Sequence, residues 1–295
     1  MIILDSPPAP GTPEWQRMVT ASKIAGILGV SPWQSPYSVW SEMTHAPGAD
    51  EPTAAMLRGS FLEDGMLAWF EHDNPSWERI GTQLAVTQPD MQEWAFATLD
   101  GLYKDDLGNT VVVEVKTASR LDDWQTEDGG IALPAYYESQ VRFQLALTDT
   151  ADYAVVVLLT PFLEKKELIV ERDDEMEAAI MSAAHDWKSL LDTGQAPDLD
   201  DTVATYDAVR REHPEIDPDK TVEIDQALAH QWLQARVDLK DAEKRERGLK
   251  TRVLDLMGDA KTAQLDGLKI ATRTPGARGT VTLRANATTT DITPF

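Results

Sequence analysis

The apolar positions of this chain change their period twice, from helical to alternating and back. From Thr53 to Phe70, Met56, Leu57, Phe61, Met66, Leu67 and Phe70 recur at intervals that predict a helix with one apolar face. Before it, TPEWQRMVTASKIAGILGV sets Trp15, Met18, Val19, Ile24, Ile27 and Leu28 at broadly helical spacing. This predicts two short helices, with Ser22 of the TAS segment as the N-cap of the second. SPWQSPYSVWSEMT offers further cap-like starts at Ser31-Pro32 and Ser35-Pro36. Pro7, Pro8 and Pro10 make the first ten residues an extended lead-in.

Strand character begins near residue 79. RIGTQLA (79–85), EWAFATL (93–99) and residues 111–117 predict three strands, the last two joined as an antiparallel hairpin through KDDLGN (104–109). ALPAYYESQVRFQLALTD (132–149) returns to helical period, with Pro134 near its first turn. ADYAVVVLLT (151–160) and KKELIVERD (165–173) predict a fourth and a fifth strand, the fifth on an edge. DEMEAAIMSAAHDWKSLLDTG (174–194) is an amphipathic helix stopped by Gly194.

Three segments follow from this pattern: a main domain over 1–194, an acidic linker over 195–226, and an appendage over 227–295. In the appendage, Leu228, Trp232, Ala235, Leu239, Ala242, Leu249, Val253 and Leu256 fit a long helix or helical hairpin, with Glu246 interrupting the stripe. The stripe reads as ordinary helix packing. The end of the chain, with Asp266-Gly267, reads as a small β-hairpin unit.

Composition narrows the chemistry. The absence of cysteine excludes disulfides, cysteine-ligated zinc, iron–sulfur clusters and thiol catalysis. The five histidines show no HxxxH or HExxH spacing, so a bound metal would sit on carboxylates and be a hard cation such as Mg²⁺ or Mn²⁺. A net charge of −23 argues against broad non-specific contact with nucleic acid. Charge is uneven, with 12 Lys/Arg against 8 Asp/Glu from Ala227 onward. Any nucleic-acid contact must therefore be local. No apolar run suits a membrane span and no signal peptide is visible, so a soluble, cytoplasmic protein is expected, in the host cell if phage-encoded.

One stretch breaks its own pattern. GNTVVVEVKTAS (108–119) reads as a buried strand, yet carries Glu114 and Lys116 where apolar residues should continue. Residues two apart in a strand share a face, so these two project together, with Val115 opposed. The hairpin can bring Asp100 of FATLDGL beside Glu114. Two carboxylates and one ammonium at a buried sheet edge cost several kcal/mol unless neutralised, and a divalent cation would do so.

Asp100 followed by Glu114-Val115-Lys116 resembles the PD-(D/E)XK nuclease core, without the proline before the aspartate. Four blocks in order resemble the λ-exonuclease/YqaJ-type phage recombinases: TASKIAGILGVSPWQSPYSVW, RGSFLEDGMLAWF, ATLDGLYKDDLGNTVVVEVKTAS and LPAYYESQVRFQLALT. The resemblance implies an α/β fold, a restriction-endonuclease-like mixed central sheet flanked by helices, followed by the helical and β-hairpin appendage. It implies that Asp100, Glu114 and the Val115 carbonyl hold Mg²⁺, with Glu63 orienting water or holding a second metal. Lys116 would position or help deprotonate the attacking water, and Gln140 and Tyr137 match the family's Y-x-x-Q segment. Ser22, and less closely Arg17, match residues that bind a 5′-terminal phosphate; Arg58 is a further candidate for backbone contact.

The activity so implied is Mg²⁺-dependent digestion of linear double-stranded DNA from a 5′ end. The 3′ single strand left behind would serve an annealing protein, and the enzyme would be a homo-oligomeric ring. Competing readings are a RecB- or Cas4-like nuclease on single strands and a non-catalytic DNA-end-binding module. Read singly, Glu63 suits an exposed helix, Glu114 with Lys116 a solvated pair, and Ser22 a plain cap. Tyr136 and Tyr137 read as packing residues, Trp33 and Trp40 as core anchors.

Overall fold

The computed structural model describes residues 1–45, 53–126, 129–276 and 279–286. Their elements run, in chain order, β1 (Ile2–Ile3), α1 (Pro13–Gln16), β2 (Val19–Thr20), α2 (Ala21–Ile27), α3 (Pro36–Thr44) and α4 (Ala54–Asp73). β3 (Glu78–Thr87), β4 (Ala95–Lys104), β5 (Thr110–Thr117), α5 (Ala135–Leu147), β6 (Tyr153–Leu159), β7 (Lys165–Glu171) and α6 (Asp174–Thr193) follow. Then come α7 (Val203–Glu212), α8 (Gln226–Met257), β8 (Thr262–Leu265), β9 (Leu268–Pro275) and β10 (Val281–Ala285). The chain divides into two compact units, Met1–Ile216 and Asp217–Phe295.

The first unit is a seven-stranded mixed sheet in the order β1-β3-β4-β5-β6-β7, with β2 beside β4. β5 and β6 are parallel, joined by α5 as a crossover, and β3–β4, β4–β5 and β6–β7 are antiparallel. Alternation along β5 sorts its side chains between two layers. Val111, Val113 and Val115 face Met66, Leu67 and Phe70 of α4. Val112 joins the layer that holds Val141 and Leu145 of α5, Ile24 of α2 and Trp187 of α6. The mixed sheet between helical layers is the expected fold.

Caps explain several boundaries. Ser35 forms a capping box with Ser38 at the start of α3, and Gly194 ends α6 in the left-handed conformation. Other boundaries differ from the sequence reading. The lead-in forms β1, which pairs with β3. The cap position of α2 is the extended Thr20, and Ser22 lies inside the first turn, its Oγ 3.0 Å from Thr20 Oγ1. Trp40 is buried as expected, but Trp33 is 63% exposed and anchors no core.

Within the segment read as a linker, α7 packs on α3. Its contacts need little apolar surface: Thr205 and Ala208 are buried, Ser35 Oγ lies 2.6 Å from Thr205 Oγ1, and Tyr37 donates to Glu212 Oε2 at 2.8 Å.

In the second unit, α8 is one continuous helix of 32 residues. Among the described residues of this unit, its C-terminal end is the part that packs: Met257, Val253 and Leu254 meet Ala271 and Leu283. Leu228, Trp232, Leu239, Leu249 and Leu256 are exposed, so among the described residues of this unit the stripe is not ordinary packing. The hairpin at Asp266-Gly267, both at positive φ as a type I′ turn requires, extends to a three-stranded antiparallel sheet β10-β9-β8.

Candidate active site

β4 and β5 pair from Lys104↔Thr110 to Gly101↔Val113, and the ladder opens beyond that pair. The Val115 N–H, freed from the ladder, donates instead to Asp100 Oδ2 at 2.7 Å. Asp100 is therefore inside β4 rather than at the end of its strand. The adjoining Gly101 has no room for a side chain on the opposite face: a Cβ there would come within 2.4 Å of the ring of fully buried Tyr103.

Glu114 is 3% exposed, and both of its oxygens are occupied. Oε1 accepts from Lys116 Nζ at 2.5 Å and from Gln140 Nε2 at 2.5 Å; Oε2 accepts from Gln144 Nε2 at 2.7 Å. Gln144 also donates to the Thr98 carbonyl at 3.0 Å, tying α5 to β4 and β5 together. Lys116 Nζ stands 4.9 Å over the ring of Tyr137. These contacts join Glu114, Lys116, Gln140 and Tyr137, all singled out from the sequence.

Burial, and then the Glu114 charge, hold the Asp100 carboxyl well above the usual carboxylate range. Burial alone would lower the Lys116 ammonium, but Glu114 and Asp100 outweigh it and push it up. Glu63 is raised by its partial burial and by Glu114, so its field reaches the set from α4. Its Oε1 accepts from Gln83 Nε2.

Gln83 was not legible in the sequence. The β3–β4 register pairs Thr82 with Gly101 and Leu84 with Leu99, leaving Gln83 across from Asp100. Its φ of 52° is left-handed, a strained conformation for a non-glycine residue. Gln144 was also missed, although its position one turn after Gln140 was a usable signal. Ser22 and Arg17 lie exposed around the α1–α2 junction, and Arg58 is exposed on α4. The hydrogen bonds of the Glu114 set run to none of these three among the described residues.

One buried and one half-buried carboxylate against one ammonium leave negative charge uncompensated, and their oxygens suit a hard divalent cation. The side chains fit such an ion, although no cluster of three acidic or histidine side chains is assembled among the described residues.

This strand order and this set of side chains are those that the resemblance to a PD-(D/E)XK core implies. Residues 14–151 match the family model of the YqaJ-like viral recombinase domain. The uncharacterized protein YqaJ of Bacillus subtilis is 25% identical over 259 residues, covering 84% of this chain and 77% of that protein. Among solved structures, an alkaline exonuclease from Laribacter hongkongensis matches with 20% identity and a TM-score of 0.49, over 68% of this chain and 97% of the other. A phage-related exonuclease from Haemophilus somnus matches with 12% identity and a TM-score of 0.43, over 61% and 96%. The family-model match bears out the resemblance of the four sequence blocks. No described helix is long and apolar enough to cross a membrane.

Proposed function

We propose that the protein is a Mg²⁺-dependent exonuclease that digests linear double-stranded DNA from a 5′ end, leaving 3′ single strands for an annealing partner. The observation that carries this reading is the meeting of Asp100, Glu114 and Lys116 where the β4–β5 ladder opens. Asp100, Glu114 and the Val115 carbonyl would hold Mg²⁺ or Mn²⁺, with Glu63 nearby. When bound, the cation supplies Lewis-acid polarisation of the scissile phosphate.

The chain's own residues supply the rest. Lys116 places an ammonium beside the reacting phosphate, where negative charge develops as water adds to phosphorus. Gln140 holds Glu114 and Lys116 in one orientation, because its amide and the ammonium share Glu114 Oε1. Water oxygen bonds to phosphorus, the P–O3′ bond breaks, and the 3′ oxygen of the terminal nucleotide takes the proton. The next nucleotide then carries a 5′-phosphate, the group Ser22 and Arg17 would receive on each cycle. A homo-oligomer fits the reading, since α8 exposes an apolar seam of alternating three- and four-residue spacing.

Linear plasmid should be degraded with Mg²⁺ and not with EDTA, and Glu114→Ala and Lys116→Ala should each lose at least about a hundredfold in rate. Degradation confined to single strands would favour a RecB- or Cas4-like enzyme. DNA ends bound but never cut, with Mg²⁺ or Mn²⁺, would leave only an end-binding module.

A further inference from the structure

Trp33 leaves most of a large aromatic side chain in water, which calls for a reason other than core packing. It is also held in place. Ser31 Oγ accepts the Trp33 N–H at 3.2 Å and the Gln34 N–H at 3.1 Å, fixing the turn that presents the indole. Its ring meets Tyr136 edge-on, with centroids 4.9 Å apart and planes at 74°, and lies 6.3 Å from Tyr137. Tyr136 and Tyr137 are 4.5 Å apart, and Tyr137 is 5.3 Å from Trp124. The Tyr136 hydroxyl donates to Asp123 Oδ2 at 3.2 Å, pinning the far side of that ring. Because Lys116 Nζ stands over Tyr137, the aromatic row runs from open solvent to the ammonium of the proposed active site.

We propose that Trp33 and Tyr136 form a stacking subsite for an unpaired nucleobase of the DNA strand whose phosphate sits at Asp100, Glu114 and Lys116. This rests on the nuclease reading and extends it to how the terminal nucleotide is gripped. Every base offers a π-face, so such a subsite is tolerant of sequence and selects unpaired bases over paired ones. Charge supports the choice of ligand. Asp123 takes the Tyr136 hydroxyl at the outer end of the row, Asp122 and Glu138 are ion-paired with Arg120 and Arg142, and the Lys116 ammonium lies at the inner end. The arrangement thus suits a nucleotide oriented with its base outward on the rings and its phosphate inward.

The test uses the full chain and two readouts. In Ca²⁺, without Mg²⁺, anisotropy of a labelled ten-nucleotide oligothymidylate measures binding without need of cleavage. Trp33→Ala should bind about tenfold more weakly, and Trp33→Phe should stay within about threefold of wild type. In Mg²⁺, the wild type should digest a duplex with abasic terminal nucleotides more slowly than an intact one, and Trp33→Ala should lose that distinction. Equal urea midpoints for wild type and Trp33→Ala establish that folding is unaffected. An oligothymidylate that fails to bind wild type overturns the proposal. So does a Trp33→Ala chain that binds as wild type and still distinguishes abasic ends, as a face for another protein would. Trp33-dependent binding without any cleavage would instead remove the nuclease reading and leave the stacking subsite standing.

Discussion

Gln144→Leu tests whether the buried amides of α5 hold the proposed active site together. The change keeps side-chain size and removes two hydrogen bonds, to Glu114 Oε2 at 2.7 Å and to the Thr98 carbonyl at 3.0 Å. A bond to a charged acceptor contributes about 1.5–3 kcal/mol and a neutral one about 0.5–1.5 kcal/mol. One term opposes them: among the described residues Gln144 Oε1 is buried without a partner, a cost of about 1–3 kcal/mol that leucine removes. Leucine in turn leaves the buried Glu114 Oε2 without that donor, a cost of about 1–3 kcal/mol that offsets the gain, so the net loss is about 3 kcal/mol.

Gln144→Glu should be worse at neutral pH, because it sets a second buried carboxyl against Glu114. Burial and Glu114 would raise that new carboxyl, so its penalty is full above its folded titration and fades as pH falls toward the ordinary carboxylate range. Urea denaturation at pH 7 and pH 5 measures both effects. Digestion of end-labelled duplex should slow about ten- to a hundredfold in either variant, since Glu114 loses the donor that orients it. A Gln144→Leu chain with the wild-type urea midpoint and the wild-type digestion rate would refute the assignment.

Three further outcomes are expected. Lys23 is 5% exposed, and its ammonium donates to the Trp15, Gln16 and Met18 carbonyls; burial lowers it to about 7, with Glu42 opposing. A folded value below the unfolded one means that unfolding takes up a proton between pH 7 and 10, so the urea midpoint should rise with pH there and flatten in Lys23→Met; a falling midpoint would contradict this. Ser22→Ala and Arg17→Ala should each raise KM about tenfold on 5′-phosphate ends and leave 5′-hydroxyl ends nearly unchanged; equal losses on both would remove the phosphate assignment. Leu239→Asp on α8 should bring the light-scattering mass down to that of one chain, and a wild type already of one-chain mass would end the oligomer proposal.

What the sequence disclosed about the site follows from how each residue relates to its own pattern. Glu114 and Lys116 were legible because they violate an apolar strand, and period two alone put them on one face. Gln140 came from resemblance, and the structure gives its reason in a bond to Glu114 Oε1. The supporting residues violate nothing locally. Gln83 looks like any polar residue in an alternating strand; only the β3–β4 register reveals that it lies across from Asp100 with positive φ. Trp33 was assigned to the core because large aromatics are usually buried, and its exposure depends on a turn set by Ser31. α7 was hidden because it packs through Thr205 and Ala208, small side chains that leave no apolar period.

The charged set and its supports are therefore specified at different levels. Asp100, Glu114 and Lys116 are placed by strand period and hairpin length, quantities written along the chain. Gln83, Gln144 and Trp33 are placed by register, crossover packing and turn geometry, which exist only once the strands have paired. The two levels meet at Glu114, whose oxygens are divided between Lys116 from its own strand and the amides of α5. Substitutions in the charged set should remove activity outright. Those in the amide set should lower activity and stability together, because the same bonds that orient Glu114 also fasten α5 to the sheet.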